Sequence, residues 1–244
     1  MMGNRVLVEK EYQGLKVRAA SNLHKECISI IDGLNLPGGA MVLDLGAGEG
    51  AFSRRLIDRK FDVRAVELLP SRFQLPIPCY NLDLNSNFHD KFNDRYDLIV
   101  AIEIIEHLQN PRHFIRECLS LLKDNGYLLV TSPNLESWIS RIRFIRDGRL
   151  LWFQEYDYHS SGHITPIFSW QMEQICREQS ATIVKKAYTR DKLLWNKLGN
   201  RFSDVIRNKM LFMTILYPVM RGCKKGEIAL FLIKPNSRIM MEKR

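Results

Sequence analysis

The sequence predicts an α/β protein built on a doubly wound, mainly parallel sheet. Three observations carry that prediction. Short apolar, β-branched runs alternate with helix-period segments along the first 135 residues. The first strong run, MVLDL, ends in glycines at Gly46, Gly48 and Gly50, where a buried strand turns into a helix. Of the 244 residues, 45% are apolar and 26% charged, which supports one sizeable core and excludes collagen-like, coiled-coil and disordered chains.

The elements follow in order. In SNLHKECISIIDGL (21–34), Leu23, Cys27, Ile30, Ile31 and Leu34 recur at helical spacing. Pro37-Gly38-Gly39 breaks the chain before the first core strand. AFSRRLIDR (51–59) continues as helix, FDVRAVEL (61–68) reads as the second strand and CYNLDL (79–84) as a short third. YDLIVAIEII (96–105) starts as a fourth strand. The helix over 111–123 opens on Pro111 and presents Phe114, Ile115, Cys118, Leu119 and Leu122 on one face. Asp124-Asn125-Gly126 ends it, and YLLVTSPN (127–134) is the fifth strand. Residues 135–150 and 167–179 read as helices, ATIVKKAY (181–188) and EIALFLIKP (227–235) as strands. The chain is read as one domain over 1–244, its core about 21–135 and 165–235, with insertions at about 136–165 and 190–225.

Charge is uneven. Residues 1–140 carry 16 basic and 18 acidic side chains, whereas residues 141–244 carry 20 and 9, so the net charge of +9 comes from the second part. A basic face of that kind suits phosphates, nucleic acid or a membrane surface, or simply solubility. Five scattered cysteines without a CxxC pair predict a reducing, cytoplasmic setting. No secretory signal and no spanning helix is visible.

The glycine turn is chemically ambiguous by itself. Gly46-x-Gly48-x-x-Ala51 fits a relaxed dinucleotide fingerprint, with Glu67 where a ribose-binding acid belongs. Asp44, two residues before the first glycine, suits a ligand with a cationic amino group rather than a pyrophosphate. Asp83, after the third strand, is placed to accept from an adenine amino group, and serves equally as a turn former.

VLDLGAGEG, Glu67 in VRAVEL, Asp83 in NLDLN, YDLIVAIEIIEHLQNP and GYLLVTSPN together resemble the class I S-adenosylmethionine-dependent methyltransferases over about residues 40–135. The resemblance implies a Rossmann-like, seven-stranded sheet with the last strand antiparallel, for which GEIALFLIKP is the candidate. It also implies that Asp44, Gly46 and Gly48 line the methionine end of S-adenosylmethionine, that Glu67 holds the ribose and that Asp83 lies by the adenine.

Glu103, Glu106 and His107 stand at i, i+3 and i+4, which on a helical turn is one face. Two carboxylates and an imidazole there make a candidate divalent-metal site, with His159 or His163 as a fourth ligand. The pattern resembles two metal-dependent branches of the family: ubiquinone-biosynthesis O-methyltransferases, whose E-x-x-E-H binds magnesium, and small-RNA 2′-O-methyltransferases, which add a later histidine matched here by His163. The competing reading is a structural turn, with His107 or His163 as general base. Because the sulfonium methyl is already activated, either device serves to align a hydroxyl and lower or remove its proton.

The last part interleaves arginines with aromatic and aliphatic residues in 137–153 and surrounds the apolar run Met210–Met220 with basic residues. The stretch 205–225 is a candidate for peripheral membrane contact, a lid or an ordinary covering helix. The leading function is O-methylation of a hydroxylated acceptor, either a glycan, a lipid-linked intermediate or a quinone-like small molecule. The alternatives are RNA 2′-O-methylation, with nucleic acid the weaker partner, and a non-catalytic cofactor-binding module. A dehydrogenase is the outsider.

Overall fold

The computed structural model describes residues 9–20, 22–189, 221–222 and 226–236. A hairpin, β1 (Glu11–Tyr12) and β2 (Leu15–Lys16), precedes helix α1 (Leu23–Asp32). Then come β3 (Met41–Leu45), α2 (Ala51–Ile57), β4 (Asp62–Val66), β5 (Cys79–Tyr80) and β6 (Tyr96–Ala101). They are followed by α3 (Pro111–Ser120), β7 (Leu122–Pro133), α4 (Trp138–Asp147), α5 (Glu155–Ser160), α6 (Ser169–Glu178), β8 (Ala181–Tyr188) and β9 (Ile228–Pro235).

The seven-stranded sheet has the order β5-β4-β3-β6-β7-β9-β8. β3 pairs in parallel with both β4 and β6, while β9 runs antiparallel to β7 and β8. The expected Rossmann-like architecture and its antiparallel last strand are therefore present. Strand alternation sends Leu43, Leu45, Ile99 and Ala101 to a core shared with α3 and α6. The intervening Val42, Leu98 and Val100 pack with α1 and α2 on the other face. Burying one such aliphatic side chain contributes about 1.5–3 kcal/mol, so the two layers fix the sheet and everything on its rim.

Strand order reverses between β3 and β6, and a crevice opens at their C-terminal ends, where ligands of this fold bind. The loops after β3, β4 and β6 all reach that edge.

Several boundaries differ from the sequence expectation. α3 stops at Ser120, because Leu122 already pairs with Tyr96; Lys123–Gly126 then bulge before Tyr127 pairs with Leu98. β5 is only two residues long, and Asp83 lies beyond it in a turn. β6 opens the 96–105 run, as expected, and ends at Ala101. The β1–β2 hairpin and α5 carry too few patterned residues for periodicity to find them. The candidate membrane segment 205–225 lies outside the described residues except for Arg221 and Gly222. Among the described residues no helix is long and apolar enough to cross a membrane. Cys27, Cys79, Cys118 and Cys176 are free thiols.

Candidate active site

The first wall of the crevice is the glycine loop. The backbone N–H groups of Gly46 and Ala47 both donate to Val66 O, which turns the chain sharply off the end of β3. Gly46 (φ 74°) and Gly48 (φ 58°) occupy the left-handed region. A Cβ at Gly46 would overlap the Cδ1 of Ile104, so this glycine admits a side chain of the β6 loop. A Cβ at Gly48 would meet nothing closer than Arg18 Cδ at 3.9 Å, so Gly48 is the open face of the turn.

Glu67, the first residue after β4, reaches back to this loop. Its Oε2 accepts from Gly48 N at 2.8 Å and its Oε1 from Leu69 N at 3.2 Å. Asp44 is buried in β3 and accepts from Ser53 Oγ at 2.5 Å, tying the strand to α2. Burial is the main reason its carboxyl rises to about 6; the Ser53 hydrogen bond opposes this and the nearby Glu67 charge adds to it. Asp83 accepts from Asn85 N and Nδ2 through Oδ1, which is the turn-forming arrangement on an exposed loop.

The second wall follows β6. Ile105–His107 form one short 3-10 turn. Glu106 is fully buried there, and neither of its carboxylate oxygens has a hydrogen-bond partner among the described residues. Burial, with Glu103 nearby, holds its carboxyl well above the usual range. Glu106 O accepts from both Ile164 N and Thr165 N at 3.0 Å, and Thr165 Oγ1 donates to Leu108 O at 2.5 Å. These bonds clamp the 162–165 loop onto the turn and bring His163 to His107, with ring centroids 4.9 Å apart. His107 Nδ1 lies 3.1 Å from Gly162 O, and His163 Nδ1 lies 2.8 Å from Trp152 O. A carbonyl only accepts, so each Nδ1 donates its proton there. Burial first, and then the neighbouring His163, lowers the His107 pKa and keeps that ring neutral. One ligand atom each from Glu106, His107 and His163 falls within 4.8 Å of the others.

Glu103 does not join them. Its backbone sits at φ 52° outside the 3-10 turn, so the shared helical face expected from i, i+3, i+4 spacing never forms. Its N–H donates to buried Thr131 Oγ1 at 2.9 Å, and its carboxylate accepts from Ala20 N at 2.7 Å. Burial raises that carboxyl to about 7, the Ala20 bond opposing. His159 lies on the surface, edge-on to Tyr158, apart from the cluster. Sequence reasoning missed Ser53, Thr131 and Ile104, whose roles depend on contacts between distant elements.

A sheet of this order, with a glycine turn and the carboxylate of Glu67 at its switch point, defines a Rossmann-like protein. The chain belongs to a methyltransferase-domain family, whose model matches residues 19–186. It is 30% identical over 100 residues to a ubiquinone biosynthesis O-methyltransferase of Rickettsia typhi, covering 38% of this chain and 41% of that protein. A protein of the same name from Bradyrhizobium diazoefficiens is 27% identical over 116 residues, 44% of this chain and 45% of the relative. The matches thus span less than half the length of these curated relatives. Among solved structures, a SAM-dependent methyltransferase from Archaeoglobus fulgidus superposes with a TM-score of 0.62 at 18% identity, covering 87% and 92% of the two chains. Phosphoethanolamine N-methyltransferase 2 of Haemonchus contortus, in complex with S-adenosyl-L-methionine, gives 0.55 at 13% identity, covering 87% and 53%. Likeness at these identities concerns the fold.

Proposed function

We propose that the protein transfers the S-adenosylmethionine methyl group to a hydroxyl oxygen of a small, quinone-like phenolic acceptor. The observation that carries this reading is the convergence of Glu106, His107 and His163 on the rim that also carries the glycine turn. In this reading Asp44, Gly46, Gly48 and Glu67 form the cofactor side, with Asp83 beyond the third strand on the adenine side. The relatives named as ubiquinone O-methyltransferases support a phenolic acceptor.

The donor set fits a divalent ion. Glu106 supplies a buried carboxyl with no hydrogen-bond partner among the described residues, and the two imidazoles, each oriented by a backbone carbonyl at Nδ1, offer Nε2. Two nitrogens and one carboxylate suit a first-row transition ion, with Mn²⁺ the hardest of the series, better than the Mg²⁺ expected from the motif. When bound, such an ion lowers the pKa of an acceptor hydroxyl.

The chain's own residues do the rest. Without an ion, Nε2 of the His107 ring, whose pKa burial lowers, can take the hydroxyl proton; where that nitrogen holds an ion, the acidified hydroxyl gives its proton to solvent instead. The clamp of Ile164 and Thr165 on Glu106 fixes where that nitrogen points. The glycine turn holds the sulfonium end, so that oxygen, methyl carbon and sulfur line up and the methyl passes in line. The test is methyl transfer from labelled S-adenosylmethionine to a panel of catechols, with the product atom identified by mass spectrometry. O-methylated product, lost in Glu106→Gln, supports the reading; N- or C-methylated product contradicts it.

A further inference from the structure

Residues 16–20 run over the C-terminal edge of the sheet, from the glycine loop to the β6 loop. At one end, Glu49 of the glycine loop accepts from Lys16 N at 3.1 Å and from Arg18 Nη2 at 3.2 Å. At the other, Glu103 of the β6 loop accepts from Ala20 N at 2.7 Å. The segment is therefore pinned to both walls of the crevice, and Arg18 lies over the open face of Gly48. Its outer end is moored on α2, where Tyr12 Oη and Gln13 Nε2 donate to Asp58 Oδ2 and the Arg55 guanidinium sits 3.7 Å above the Tyr12 ring. Its inner end leads into α1, whose first residue, Leu23, is fully buried. Between these two fixed points, the contacts with Glu49 and Glu103 hold the segment down.

The Glu103 backbone is built for this contact. A non-glycine residue at φ 52° is uncommon and costs energy, and here a buried hydroxyl, Thr131 Oγ1, holds it in place. The consequence is a carboxylate bonded to Ala20 N that does not join the ligand atoms of Glu106, His107 and His163.

We propose that residues 16–20 are a strap closing over the bound cofactor, and that Glu103 is a positioning residue that latches it rather than a ligand of the neighbouring cluster. This rests on the assignment of the crevice between β3 and β6 to the cofactor. Both latches hold a backbone N–H of the strap, and Glu49 adds a bond from the Arg18 side chain. Cofactor exchange then requires the strap to lift, and loss of a latch speeds release without altering the Glu-His-His cluster.

The test is the release rate of S-adenosylhomocysteine from the full-length chain by stopped flow, with tryptic cleavage after Lys16 and Arg18 followed in parallel. Glu103→Ala removes the acceptor, and release is expected to accelerate by about tenfold, with faster cleavage. Glu103→Gln keeps an acceptor oxygen, and its rate is expected to stay within about threefold of wild type. Mn²⁺ affinity is expected to be unchanged in both. A wild-type release rate and cleavage pattern in Glu103→Ala would overturn the latch, as would loss of Mn²⁺ binding in Glu103→Gln to the level of Glu106→Gln. Should Glu103→Ala not fold, Glu49→Ala is read the same way: faster release supports the strap and an unchanged rate overturns it. A wild-type chain without affinity for S-adenosylhomocysteine overturns the cofactor assignment and the strap together, whereas normal affinity with insensitive variants overturns the strap alone.

Discussion

His107 and His163 meet edge to face at 4.9 Å, each with its Nδ1 on a backbone carbonyl. The rings come from elements far apart in sequence, and the two amides of Ile164 and Thr165 on Glu106 O bring them together. Paired in this way, the imidazoles are oriented before any ligand arrives.

That pairing predicts a large loss of activity when either ring is removed. His163→Ala and His107→Ala should each lower kcat by about 10²-fold or more, the usual contribution of a positioned proton acceptor. Cofactor affinity, measured by calorimetry with S-adenosylhomocysteine, should stay near wild type. A variant with unchanged kcat would remove that residue from the chemistry.

Asp44 predicts a trade of stability against binding. Its carboxyl is raised to about 6 from an ordinary 3.8, so the folded chain holds the proton more tightly than the unfolded chain does. Its stabilising contribution is therefore fully present below 3.8 and is lost as pH rises through about 6. Asp44→Asn should raise stability near neutral pH by about 1–3 kcal/mol. The gain over wild type in thermal denaturation should be larger at about pH 8 than at about pH 5. The same variant should bind cofactor more weakly.

Glu67 joins the end of β4 to the glycine turn through Gly48 N. Glu67→Ala should weaken S-adenosylhomocysteine binding by about 1.5–3 kcal/mol, read by calorimetry as at least a tenfold rise in Kd. Equal affinity in the variant would place the ribose elsewhere.

Gly46 and Ile104 form a pair in which one residue's missing side chain accommodates the other's. Gly46→Ala should destabilise the fold by about 1–3 kcal/mol through the clash and the strained φ. Ile104→Ala in the same chain should restore part of that loss, so the double-mutant cycle should show coupling of about 0.5 kcal/mol or more. Strict additivity would contradict the packing.

Most of the fold was legible in the sequence. The runs MVLDL and YDLIVA are largely apolar on both faces, as strands covered on both sides must be, DVRAV buries Val63, Ala65 and Val66, and Asn110-Pro111 marks the start of α3 with a side-chain cap on His113 N. The convergence of Glu106, His107 and His163 was legible from their residue types. The direction of Glu103 was not. Spacing of i, i+3, i+4 states a face only where the backbone is helical, and the positive φ at Glu103 is set by Thr131, which lies on another strand. The β1–β2 hairpin was likewise hidden, since Gln13-Gly14 is a weak turn signal between strands of two residues. Its role depends on Asp58 and Glu49, which the chain supplies much later.

The most direct test of the account is transfer of a labelled methyl group from S-adenosylmethionine to a catechol acceptor, run with Mn²⁺ and with chelator, for the wild-type chain and Glu106→Gln. The account predicts an aryl methyl ether formed in step with S-adenosylhomocysteine in the wild type with Mn²⁺. It predicts a fall of about 10²-fold or more in the Glu106→Gln variant. Undiminished ether formation by Glu106→Gln would contradict it.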